Sequence, residues 1–189
     1  TALYLVLGGY MATAINDFIQ GIIMLFGIAI IIAAVLMSKG GFMEAVNGLA
    51  QVSDPAASAQ PGVFASFFGP DPLNLLSVVI LTSLGTWGLP QMVQKFYAIN
   101  SENAIKKGTI ISTLFAVVVS GGCYFLGGFG RLFSDQVNIE ADGFDSIIPT
   151  MLSNLTPILI ALVVILVLSA SMSTLSSLVI ASSSTLTID

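Results

Sequence analysis

Asp17 is the one acidic residue in the long apolar stretch "MATAINDFIQGIIMLFGIAIIIAAVLMS", residues 11–38. A carboxylate at membrane depth costs at least ~2.5 kcal/mol unless it faces a cavity or a partner, so by default it marks an ion or proton path. A competing reading places it near a helix start, where the positive end of the helix dipole and interfacial water suit a carboxylate.

A second group of polar side chains lies far along the chain in "SASMSTLSSLVIASSSTL", residues 169–186, directly behind "ILIALVVILVL". On a helix, residues at i, i+3, i+4 and i+7 share one face. Ala170, Ser173, Thr174 and Ser177 therefore form a narrow stripe of small groups. A hard cation such as sodium takes oxygen ligands. The hydroxyls of Ser173 and Thr174, with the Ala170 carbonyl one turn back, supply about half of such a shell. Packing is the competing reading, because small residues let helices approach closely and hydroxyls bond back to the i−4 carbonyl at little cost.

Between these groups, "SLGTWGLPQMVQKF" places Gly85, Gly88 and Pro90 inside a hydrophobic segment. Proline lacks the N–H that a helix needs and glycine carries a high entropic cost there, so the helix is expected to break or kink. Non-helical backbone at membrane depth survives only where protein buries it or a watery cavity lines it. Broken helices supply the substrate site in many secondary transporters, and a proline kink used for packing is the alternative.

The elements that must hold these residues are membrane helices. The chain of 189 residues is 56% hydrophobic and only 8% charged, against about 25% charged residues in soluble domains. Counted in spans of ~20 apolar residues, it gives an all-α integral membrane protein with four transmembrane helices, at about 11–38, 73–97, 109–133 and 157–187. The opening "TALYLVLGGY" reads as the end of a preceding helix, set off by Gly8 and Gly9, and the chain as an internal piece of a longer polypeptide. Residues 39–72 and 134–156 are rich in Gly, Pro, Ser and acidic residues and read as loops, with short helices near Met43 to Leu49 and in "IIPTMLSNL", the latter on the surface. Lys95, Lys106 and Lys107 cluster around the short connector "AINSENAIKKG" and put it on the cytoplasmic side, so both long loops are extracellular.

Several chemistries are excluded. One cysteine, Cys123, allows no internal disulfide, and a chain without histidine lacks the familiar zinc spacings. Five basic residues cannot track a phosphate backbone, so no nucleic acid is expected. No nucleophile has a plausible base and no second intramembrane carboxylate pairs with Asp17, which argues against an enzyme.

Three stretches together resemble the sodium/solute symporter family, whose fold is the leucine-transporter type of inverted five-helix repeats. They are "GGYMATAINDFIQG", "GTWGLPQMVQKF" and, most specific, "SASMSTLSSLVIASSS". The resemblance covers essentially the whole chain and implies that it is part of an inverted-repeat transporter core: the end of the first repeat, then three spanning helices of the second. It implies sodium coordination by the Ala170 carbonyl and the Ser173 and Thr174 hydroxyls, with the remaining ligands coming from an upstream broken helix. It sets Asp17 toward the cytoplasmic end of the ion path and Trp87 and Gln91 beside the substrate. Sugar-transporting members carry an aromatic gate where this chain has Thr86, which disfavours a sugar. "GLPQ", Gly130 with Arg131, and "IIPTML" look most like the pantothenate-type branch. Asn16 replaces the threonine of the commoner Thr-Asp pair.

The resulting expectation is sodium-coupled symport of a small organic solute, a carboxylate such as pantothenate. The bilayer and the remaining helices of a full-length transporter in a bacterial plasma membrane are its partners. Proline or another amino acid and monocarboxylates are the alternative solutes. A membrane structural or channel-like protein, whose serines only pack helices, is the alternative class.

Overall fold

The computed structural model describes residues 2–53, 61–97, 99, 101–137 and 139–188. Among these, every regular element is helical. The helices are α1 (Ala2–Ser38), α2 (Phe42–Gln51), α3 (Pro72–Gly85), α4 (Pro90–Tyr97), α5 (Glu102–Gly128), α6 (Ile139–Asp142), α7 (Ile147–Ser153) and α8 (Pro157–Ile188). Residues 54–60 of the expected loop 39–72, and the side chain of Lys95, lie outside the description. Three helical stretches, Leu5–Ser38, Glu102–Gln136 and Pro157–Thr187, are long and apolar enough to cross a membrane.

Local chemistry sets where these helices start and stop. α1 ends in a left-handed cap: Gly40, at φ 82°, donates its N–H to the Met37 carbonyl, and Gly41 donates to Leu36. That pair of bonds satisfies carbonyls that the last helical turn would leave open. Asp71 caps α3 by accepting the Asn74 N–H at 3.0 Å, with Pro72 at the first helical position. Ser101 caps α5 by accepting the Ala104 N–H at 3.2 Å, so this helix begins inside the connector, ahead of Thr109. The expected interruption near Gly85 and Pro90 is present: α3 stops at Gly85 and α4 starts at Pro90. At 14 residues, α3 is too short to cross ~30 Å of hydrocarbon without α4.

α1 is the central helix, packing chiefly on α8 and α5. Gly27 lies against Leu166, Gln20 against Met172, and Thr13 and Asp17 beside Ser177 and Ile180, so α1 and α8 run antiparallel. Gly21 meets Phe115 and Gly122 meets Ile28 and Ile32, so α1 and α5 run parallel. Glycine makes both approaches possible: a methyl on Gly27 would sit 2.5 Å from Leu166 Cδ2, and one on Gly122 3.1 Å from Ile28 Cγ1.

The apolar core gathers at one end of this three-helix unit, where Ile28, Ile31 and Val35 of α1 meet Leu126 of α5, Phe133, and Met151 and Leu155. The segment 147–153, expected on the surface, is a helix that inserts Met151 fully into this core. α7 packs chiefly on the segment Phe129–Gln136 and also on α8, a placement that periodicity within α7 does not reveal. Phe42, Phe125 and Phe129 stack beside the core, with centroids 5.1 to 6.5 Å apart. Lys39 closes the same end by donating to the Leu132 carbonyl at 3.0 Å and lying 4.0 Å from the Phe133 ring centroid. Polar residues occupy the other half of the α1–α8 seam.

Candidate functional site

Four polar residues of α1 recur at helical spacing: Thr13, Asn16, Asp17 and Gln20. Thr13 and Gln20 are buried, as are Ser169 and Ser176 on α8, and Ser176 is completely inaccessible. The side-chain amide of Gln20 makes one weak contact across the seam, from Nε2 to the Met172 sulfur at 3.9 Å, while its Oε1 is buried with no hydrogen-bond donor among the described residues. Asn16 Nδ2 is likewise buried and unmatched. Leaving a buried polar atom unmatched costs about 1–3 kcal/mol, so a seam shaped only by packing would carry apolar residues here.

Next to this seam lies a cavity of about 220 Å³, walled by Tyr10, Thr13 and Asp17 from α1, Gln91 from α4, and Ser177 and Ile180 from α8. Three separate helices thus bring a carboxylate, an amide and three hydroxyl side chains to one space. α4 reaches it because the chain breaks between Gly85 and Pro90; the short helix then turns onto α8. α1 contributes through a distortion of its own. Gly9, at a kink where two helical stretches of α1 meet and where the sequence predicts a break, has φ 60° and ψ −155°, a conformation open in practice only to glycine. The Thr13 hydroxyl donates to the Gly9 carbonyl at 3.1 Å.

Of the residues singled out from sequence, Asp17 and Gln91 therefore meet in one cavity. Ala170 and Thr174 occupy a separate, open hollow on α8 with Ser171, Leu175 and Leu178. There the Thr174 hydroxyl donates to the Ala170 carbonyl at 3.0 Å. α8 is uninterrupted at this point, so the link between hydroxyl and carbonyl is an i−4 bond on a regular helix. Ser173 sits at the edge of the seam, half-buried, and its carbonyl accepts the Ser176 hydroxyl at 2.9 Å. Thr86 and Trp87 lie in the break, both exposed, and line neither space. The Thr86 hydroxyl is turned back onto the Ser83 carbonyl at 3.2 Å.

Sequence reasoning passed over Tyr10, Thr13 and Gln20. The spacing of Thr13, Asp17 and Gln20 at i, i+4 and i+7 was the available signal, since those positions share a helix face.

Comparisons with known proteins bear on the family to which this chain belongs. The model of the sodium:solute symporter family matches residues 1–189. Among curated relatives, the sodium/pantothenate symporter of Haemophilus influenzae is 28% identical over 187 residues, covering 96% of this chain and 36% of that protein. The sodium/pantothenate symporter of Escherichia coli is 30% identical over 130 residues, covering 69% of this chain and 26% of that protein. Sodium/proline symporter 2 of Staphylococcus saprophyticus is 28% identical over 187 residues, covering 98% and 35%. The chain thus spans about a third of the length of the relatives that it matches along its whole course. No solved structure matches. A family model matched from end to end, on a chain with three helices long and apolar enough to cross a membrane, places it plainly: the chain belongs to the sodium:solute symporter family.

Proposed function

We propose that the full-length protein is a sodium-coupled symporter of a small organic solute in a bacterial plasma membrane. The observation that carries this reading is the convergence of Asp17, Gln91 and Ser177, from three different helices, on one cavity. An intramembrane carboxylate facing a cavity suits passage of a cation, and the family to which the chain belongs is named for sodium. In this reading residues 11–38, 73–97, 109–133 and 157–187 are four spans of one inverted-repeat transporter core, following the end of a preceding helix. Residues 39–72 and 134–156 then lie outside.

Ala170, Ser173 and Thr174 form half of a sodium site. A hydroxyl has one hydrogen and two lone pairs, and the Thr174 hydrogen is committed to the Ala170 carbonyl, which leaves lone pairs for a cation. That carbonyl keeps a second lone pair of its own. Asp17 serves the cytoplasmic end of the ion path, and Thr86, Trp87 and Gln91 line the route of the solute. Sodium and solute bind together and bias an equilibrium between outward-open and inward-open forms through differential affinity. The membrane potential adds ~2.3 kcal/mol per charge per 100 mV to inward sodium movement.

For the solute, a carboxylate such as pantothenate is the first choice. It is supported by the pantothenate symporters of two organisms at 28% and 30% identity and by "GLPQ" and "IIPTML" in this chain. Proline is the second, supported by a proline symporter at 28%. The test uses the full-length protein in sealed vesicles with labelled pantothenate and labelled proline. An inward sodium gradient is expected to drive one of them above its equilibrium level, and dissipating the gradient to release it. Uptake that ignores sodium, or that equilibrates without accumulating, rejects the reading.

A further inference from the structure

Resting on the reading of the α1–α8 seam as a sodium path, we propose that the side-chain carbonyl of Gln20 is a ligand of the passing sodium ion. It forms a station between the half-site on α8 and the Asp17 cavity.

Gln20 is 6% exposed, and its Oε1 is shielded from solvent with no donor among the described residues. The other end of the amide faces Met172, with Nε2 3.9 Å from the sulfur. Met172 directly precedes Ser173, and Asp17 lies one turn from Gln20 on α1. Because α1 and α8 run antiparallel, with Asp17 beside Ser177, Gln20 stands at the height of Ser173.

The hydroxyls along the seam do not supply the missing donor. Thr13 gives its hydrogen to the Gly9 carbonyl at 3.1 Å, Thr174 to Ala170 at 3.0 Å and Ser176 to Ser173 at 2.9 Å. Each is a bond within its own helix, so these oxygens turn lone pairs to their surroundings. Nor can a helix packed on the outside of the seam reach Oε1, because the described residues already close the atom off. A desolvated carbonyl oxygen among hydroxyl lone pairs, one turn from a carboxylate, lacks positive charge and not another acceptor. Sodium, a hard cation that takes oxygen ligands, meets that need. The amide is free to turn its oxygen onto the ion, since a thioether is a weak acceptor and Met172 is unbranched and adaptable.

Asn16 Nδ2, one turn before Gln20, is buried and unmatched as well. A water that accepts from Asn16 and donates to Gln20 is therefore the rival occupant. It differs from sodium in being indifferent to which salt is present.

The experiment follows thermal unfolding of the purified full-length protein in sodium chloride and in potassium chloride of equal ionic strength. A ligand that binds only the folded state raises the unfolding midpoint, so the parent is expected to unfold at a higher temperature in sodium. Gln20→Met removes the oxygen at nearly constant length. In potassium its midpoint is expected to equal or exceed that of the parent, because an unmatched buried group has been taken away. The increment due to sodium is expected to shrink. In uptake, the same variant should raise the half-saturating sodium concentration about tenfold, comparable to losing one hydrogen bond to a charge. Gln20→Glu keeps an oxygen in place and is expected to retain the sodium increment. Should Gln20→Met not reach the membrane, Gln20→Leu gives the same comparison.

If the parent gains from sodium and Gln20→Met gains as much, the sodium path stands, water is the occupant at Gln20, and this proposal falls alone. Loss of the increment in Gln20→Glu as well as in Gln20→Met assigns the residue to packing and overturns the proposal too. If the parent itself gains nothing from sodium, the reading of the seam falls and the proposal falls with it.

Discussion

At the scale of single residues, threonines in α1 and α8 spend their one hydrogen inside their own helix. Thr174 donates to Ala170 at 3.0 Å and Thr13 to Gly9 at 3.1 Å. Such back-bonding is ordinary in apolar helices, and its consequence here is electrostatic: the oxygen keeps only acceptor capacity for its surroundings. In the proposed symporter, Thr174→Val should accordingly raise the sodium concentration for half-maximal uptake by about tenfold, with Thr174→Ser close to the parent. Ser173→Ala should shift it in the same direction. Sodium titrations of uptake at fixed solute decide this, and an unchanged midpoint in both Thr174→Val and Ser173→Ala removes these residues from the ion site. Ser176 offers a contrast. It is completely buried, its hydroxyl bonds to the Ser173 carbonyl, and it reads as a packing residue of the seam.

At the scale of elements, close approach of helices does the structural work. Gly27 lets α8 settle on α1 with Leu166 directly over it, and Gly122 does the same for Ile28 and Ile32 between α5 and α1. Helix association in lipid has no hydrophobic drive of its own and rests on packing at small residues. Gly27→Val forces Leu166 aside or the helices apart, and overpacking of this kind costs about 1–3 kcal/mol. The expected outcome is a lower unfolding midpoint of the purified full-length protein in detergent. The break between α3 and α4 works by the opposite device: four non-helical positions let a short helix leave the line of its predecessor and carry Gln91 to the α1–α8 cavity.

At the scale of the whole molecule, the two ends of the α1–α5–α8 unit do different jobs. The apolar core around Val35, Leu126, Phe133 and Met151 occupies the end that carries α2 and α7, while the polar seam and its cavity occupy the other. Met151→Ala, at a site with no exposure, should cost about 2–5 kcal/mol of stability. The sodium dependence of the protein that remains folded should stay at the parental value, and a shifted sodium midpoint would show that the two ends are coupled. Much of this organisation was legible in the sequence. Apolar runs located the long helices, because each must cover about 30 Å of hydrocarbon. Gly85, Gly88 and Pro90 announced the break through their backbone chemistry, and Asp17 announced itself through the cost of a charge in an apolar run. Helical spacing also set Ala170, Ser173 and Thr174 on one stripe of α8. Only the tertiary structure decided which face of α8 is covered: Ala170 and Thr174 open outward, Ser173 rides the edge, and Ser169 and Ser176, at other angles, take the buried positions. It also decided that Tyr10 and Thr13 join Asp17 in the cavity, and that Met151 leaves the surface for the core. The physical reason is that spacing fixes angles within one helix and says nothing of the rotation of its neighbour. In a membrane protein, moreover, lipid is as apolar as a protein interior, so hydropathy cannot mark which face of a helix another helix will cover.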